Sequence, residues 1–256
     1  MALAYDKILL FGDSIIQQAY NPDGFAFGPA MQNAYTRRMD VIQRGFSGYT
    51  SDHAAALFPY LLRQETNIKL MIIFFGTNDA ILPWSKNHVP IERYKSNMTR
   101  MVLAAQETGA RVIIIGPGPF DYYPFVAQME EWVCDRTTVS ARKYCDAASR
   151  LGTELGVPVV PMWDLIMGDL GWTDGDPVPG LEGVEGENGL ERYLSDGLHF
   201  RGRAYLIMFV NVMKAIHESY PELEPESVQE KLPLCDKKMT LDTLTTALEG
   251  SNNLYD

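Results

Sequence analysis

Cysteine is scarce in this chain of 256 residues: Cys134, Cys145 and Cys235 are the only three. None forms a Cys-x-x-Cys pair. An odd, sparse set reads as reduced thiols of the cytosol, not as a disulfide framework. Histidine is nearly as rare. His53, His88, His199 and His217 are scattered without ligand spacing, so no metal site is expected. Basic residues are outnumbered, 22 Lys and Arg against 33 Asp and Glu, for a net charge of −11. Nucleic acid is therefore not an expected partner, since phosphate binding needs clustered cations. No run of eighteen apolar residues exists, so no membrane span is expected. The opening MALAYDKILLF lacks a basic region, a long apolar region and a cleavage site. It is expected to enter a strand at once with no signal peptide, in keeping with a cytoplasmic protein. No G-x-G-x-x-G follows an apolar run and no G-x-S-x-G occurs. The first absence argues against a dinucleotide cofactor, the second against the nucleophile elbow of the α/β-hydrolases.

What is present is a core-forming pattern. Hydrophobic residues make up 46% of the chain, enough for one sizeable core at this length. Five short apolar runs stand out: KILLF (7–11), VIQRGF (41–46), IKLMIIFF (68–75), RVIIIG (111–116) and VPVVPMW (157–163). The third and fourth are nearly continuous, as strands buried on both faces should be. Between and after them, residues 53–66, 91–108, 137–155 and 202–219 carry apolar groups at helical spacing. Gly109 and Gly156 stand where two of these stretches should stop. Alternating strand and helix predict an α/β fold, a parallel sheet covered on both faces. One domain over 1–220 is expected, followed by a tail, 221–256. The tail has short helical candidates at 225–232 and 240–249, and packs on the body or contacts a second subunit in a homodimer. Residues 168–191 hold seven Gly and seven Asp or Glu but no Lys or Arg. They read as a loop, either a surface insertion or a lid.

Ligands gather at the carboxyl ends of strands in an open parallel sheet, and the residues following each run carry chemistry. GDS with Ser14 follows the first, SGYTS with Gly48 the second, GTND with Asn78 the third, and GPGPF the fourth. SDGLHF, with Asp196 and His199, follows the fifth beyond the acidic loop. A hydroxyl, a glycine N–H, a carboxamide and an Asp/His pair are the parts of an acyl-transfer site. The three-residue spacing of Asp196 and His199 would put both on one side of a helical turn. Asp196 can then hold the His199 tautomer while the other ring nitrogen takes a proton from Ser14. Gly48 and Asn78 can donate to an oxyanion, Gly48 because a side chain there would block close approach. GPGPF is a poor phosphate loop, because Pro117 and Pro119 remove two N–H groups; it reads as a rigid turn. Phe120, Tyr122 and Tyr123 wall a pocket or pack in the core. Each block has a bland reading as a strand-ending turn or a cap.

Taken in order, GDS, the Gly of SGYTS, GTND and D-x-x-H resemble the SGNH (GDSL) hydrolase family. FGDSI, GTNDA and SDGLHF look most like its isoamyl acetate-hydrolysing esterase subfamily. The first block ends in Ile15 where the family motif has Leu. The resemblance implies a flavodoxin-like three-layer α/β/α sandwich with a five-stranded parallel sheet, and a serine esterase needing no metal or cofactor. It implies Ser14 as nucleophile, His199 as base and Asp196 as its orienting acid. Ser14, Gly48 and Asn78 would line the oxyanion hole, and the partner would be a small-molecule ester, short-chain acyl esters of small alcohols foremost. The rival readings are an electron carrier on the same flavodoxin-like fold and a binding protein that has lost catalysis.

Overall fold

The computed structural model describes residues 4–22, 24–128, 133–184, 188–232 and 240–250. Cys235 and residues 185–187 of the acidic stretch lie outside them. Five strands, β1 (Asp6–Gly12), β2 (Met39–Gly45), β3 (Ile68–Phe74), β4 (Arg111–Gly116) and β5 (Val159–Pro161), form one sheet in the order β2-β1-β3-β4-β5. Every pairing is parallel. This is the flavodoxin-like order, and its direction of winding reverses at β1.

The apolar runs alternate in three dimensions although they are continuous in sequence, because successive strand residues point to opposite faces. Ile8, Leu10, Ile72, Ile113 and Ile115 face one layer. It contains α1 (Ser14–Gln17), α2 (Phe27–Ala34), α7 (Met162–Leu170) and α8 (Gly202–Ser219). Leu9, Phe11, Met71, Ile73, Val112 and Ile114 face the other, packing on α3 (Ser51–Gln64), α4 (Ile91–Glu107) and α6 (Thr138–Leu155). Helix ends follow local chemistry. The Thr137 side chain accepts from the Ser140 N–H to start α6, and Gly156, at φ +65°, closes it.

Three expectations need correction. The fifth apolar run is not one strand. Pro158 and Pro161 cannot donate to a ladder, so β5 is confined to three residues. From Met162 the chain turns helical, burying Met162, Trp163, Ile166 and Met167. The acidic loop therefore begins after Leu170 rather than at 168. Residues 225–232 form no helix. They lie along the body instead, with Arg38 Nε donating to Val228 O (3.1 Å) and Lys231 N donating to Arg37 O (3.0 Å). The second tail candidate is helical, as α9 (Leu241–Gly250). Among the described residues no helix is long and apolar enough to cross a membrane.

Candidate active site

Ser14 opens α1 directly after β1 and is almost fully buried. Two glycines make this abrupt turn fit. A Cβ on Gly12 would fall 2.7 Å from Phe74 O, and one on Gly45 would fall 2.1 Å from Gln17 N. The helix is thus pressed onto the ends of its neighbouring strands. Asp13 caps it, Oδ1 accepting from the Ile15 N–H at 2.9 Å.

From the other end of the chain, His199 Nε2 comes within 3.0 Å of Ser14 Oγ. His199 Nδ1 lies 2.6 Å from Asp196 Oδ2. A carboxylate only accepts, so Nδ1 carries the proton and Nε2 presents its lone pair to the serine hydroxyl. Asp196 Oδ1 also accepts from the backbone N–H groups of Leu198 (3.0 Å) and His199 (2.7 Å). Burial alone would raise the Asp196 carboxyl; these hydrogen bonds and the charge of His199 outweigh it and hold the group well below the usual carboxylate range. The acid and imidazole do not meet on a helical turn as their spacing suggests. They sit in a tight loop closed by an antiparallel bridge between Leu194 and Phe200, with Gly197 at φ +85°.

Asn78, after β3, donates from Nδ2 to Tyr49 O at 3.0 Å, which ties it to the loop carrying Gly48. Gly48 has φ +77°, and no protein atom lies within 4 Å of where its Cβ would be. Left-handed backbone, not crowding by the protein, is what requires glycine there. Asp79 is buried and receives the Ser51 N–H (3.0 Å) and the Ser51 hydroxyl, locking the start of α3 to the GTND loop. Burial pushes its carboxyl up to about 7 against the pull of those bonds. Asp13 is likewise raised to about 6, by burial first, against the Ile15 N–H, the Thr77 hydroxyl and the charges of His199 and Arg136. Among the described residues, Asp13 Oδ2 and Thr77 Oγ1 find no partner at full hydrogen-bonding geometry.

The model of the GDSL-like lipase/acylhydrolase family matches residues 10–207, most of the chain. The chain belongs to this family. It is 35% identical over 238 residues to the isoamyl acetate-hydrolyzing esterase of Saccharomyces cerevisiae, covering 89% of this chain and 93% of that protein. It is 28% identical to the isoamyl acetate-hydrolyzing esterase 1 homolog of Homo sapiens, covering 87% and 86%. Among solved structures, an acetylxylan esterase from Geobacillus stearothermophilus superposes with a TM-score of 0.61 at 18% identity, over 84% of this chain and 96% of that one. This GDSL-like acylhydrolase is a carboxylic ester hydrolase, and the electron-carrier reading falls.

The predicted site residues of this acylhydrolase stand together at the carboxyl edge of the sheet. Ser14, His199 and Asp196 are joined directly, and Asn78 is bonded to the loop of Gly48. Of the aromatic residues after GPGP, Phe120 is buried while Tyr122 and Tyr123 sit partly exposed on α5 (Tyr122–Val126). The acidic loop is docked on this same helix: Tyr122 N donates to Gly180 O (3.0 Å) and Gly183 N to the Tyr123 hydroxyl (3.2 Å). No cluster of His, Cys, Asp or Glu suited to a metal ion occurs among the described residues. One residue that sequence reasoning missed enters the site. Arg136 donates from Nη2 to Asn78 Oδ1 (3.1 Å) and from Nη1 to Thr77 O (2.8 Å). Its local context, CDRTT ahead of a helix, carries no motif that would have flagged it.

Proposed function

We propose that this esterase works by two-step acyl transfer through an acyl-enzyme on Ser14. His199 Nε2 removes the Ser14 proton as Oγ attacks the ester carbonyl. Negative charge develops on the carbonyl oxygen and is received by the N–H groups of Ser14 and Gly48 and by Asn78 Nδ2. His199 then protonates the departing alkoxide, which leaves as the alcohol. Water, deprotonated by the same imidazole, attacks the acyl carbonyl; the tetrahedral intermediate collapses, Ser14 recovers its proton and the acid is released. Asp196 fixes the ring tautomer and stabilises the imidazolium in both halves. Every role is met by a side chain or backbone N–H of this chain, so the mechanism calls on no metal or cofactor.

The observation that carries this reading is the unbroken run from Asp196 through His199 to Ser14, with contacts of 2.6 and 3.0 Å. The names of the relatives, isoamyl acetate-hydrolyzing esterases from yeast to human, support short-chain acyl esters of small alcohols as the substrate class. A cytoplasmic site of action belongs to the same reading, supported by free thiols at Cys134 and Cys145. The test is a p-nitrophenyl ester series of rising acyl length, run on the wild type and on Ser14→Ala. Activity should be highest on acetate, fall with chain length and vanish in the variant. Turnover surviving in Ser14→Ala refutes the nucleophile; a rate that climbs with acyl length refutes the substrate class.

A further inference from the structure

Asn78 presents a chemical problem to the reaction. A carboxamide has nearly the same shape after a half turn about its last bond, yet the turn exchanges two donors for an acceptor. With Nδ2 toward the substrate it stabilises an oxyanion; with Oδ1 there it repels one. The contacts of this side chain decide between the two. Tyr49 O can only accept, and it takes one Nδ2 hydrogen at 3.0 Å. The Arg136 guanidinium can only donate, and it meets Oδ1 at 3.1 Å. Both partners demand the same orientation, which leaves the second Nδ2 hydrogen for the substrate. A cation on the carbonyl end also draws electron density from the amide, making its N–H a stronger donor.

Arg136 is itself held in place. Its other terminal nitrogen donates to Thr77 O at 2.8 Å, and its guanidinium lies 5.8 Å from the centre of the Phe125 ring. Neighbouring residues grip the same loop, with Leu82 N donating to Asp135 O (2.6 Å) and Ser140 Oγ donating to Ala80 O (2.6 Å). Its side chain keeps 17% of its exposure, so water competes little for the contact.

We infer that Arg136 is a positioning residue of the oxyanion hole, fixing the carboxamide of Asn78 with its donor toward the substrate and polarising it. In this role it acts through Asn78, so the inference rests on Asn78 being an oxyanion donor. Arg136→Met keeps an unbranched stem out to the fourth side-chain atom and removes both the charge and the donors. It should lower kcat for p-nitrophenyl acetate by about tenfold to a hundredfold, with KM nearly unchanged, less than loss of the donor itself. Arg136→Lys keeps a charge but cannot reach both acceptors at once, and should recover part of that loss.

The decisive comparison is the same pair of changes made in an Asn78→Ala background, with folding of every variant checked by thermal melt. The single Asn78→Ala change should cost about 10² to 10³ in kcat. On that background the Arg136 changes should cost nothing further. An equal fold-loss with and without Asn78, or a full-rate Arg136→Met enzyme, overturns the role of Arg136 and leaves the esterase mechanism standing. Full kcat in Asn78→Ala, with Ser14→Ala inactive, removes Asn78 from the hole and this inference with it. Should Arg136→Met fail to fold, Arg136→Lys carries the same cycle, its kcat loss present with Asn78 and absent without it.

Discussion

Asp13 to Asn should stabilise the protein increasingly as the pH rises. The Asp13 carboxyl is fully buried, and burial lifts it from its ordinary 3.8 to about 6. A group raised on folding contributes stability that is complete below its unfolded value and disappears as pH climbs through its folded value. At about 1.4 kcal/mol per pH unit, the rise amounts to about 3 kcal/mol, lost as the pH climbs from the ordinary value of 3.8 through about 6. Asp196 does not blur this window, because a depressed carboxyl shows its effect only as pH falls below the ordinary value. Asn keeps the cap, since its Oδ1 can still accept the Ile15 N–H. Its new NH₂ faces the Thr77 hydroxyl, an acceptor that lacks a partner among the described residues. Thermal melts of both proteins at half-unit steps from pH 4.5 to 8 test the reasoning. The gap should open in favour of Asp13→Asn and reach about 6–12 °C at the alkaline end, at 2–4 °C per kcal/mol for a domain of this size. Parallel curves, or a wild type that gains on the variant with rising pH, would refute the claim that Asp13 is strained as an anion.

Two further changes probe the turn that carries the acid and base. Asp196→Asn offers an amide N–H to His199 and favours the wrong tautomer, so steady-state kinetics should record a fall in kcat on the order of 10³ to 10⁴ with the fold intact. Gly197→Ala combines a left-handed φ of +85° with a Cβ placed 2.3 Å from Asp121 O. A denaturant titration should find it less stable by about 2 kcal/mol or more, and an unchanged midpoint would mean that the turn relaxes freely.

The chain reveals its first four strands readily because each falls in an apolar run of its own, while β5 is only part of one. The third and fourth runs end within a residue of β3 and β4. Long helices were equally readable, since α4, α6 and α8 each bury one face at helical spacing. Short elements were not. Helix α1 is a single turn whose cap, Asp13, reads in sequence as part of a β-turn, and α7 hides inside an apolar run that prolines cut in two. Ser14, Gly48, Asn78, Asp196 and His199 could be singled out as candidates because each sits in a short motif, and the motifs come in a telling order. Arg136 could not. Its acceptors lie 58 and 59 residues away, and nothing in the local pattern of CDRTT distinguishes a guanidinium bound for the site from one bound for solvent.

The sequence by itself determined the class of fold and the kinds of chemical group available, because hydrophobic periodicity and residue type are local properties. Only the tertiary structure decided how those groups act together. Which ring nitrogen of His199 faces Ser14 and which end of Asn78 is a donor both depend on partners far along the chain. Hydrogen-bond direction and dielectric environment are fixed by what packs alongside a residue, and packing is a property of the folded molecule.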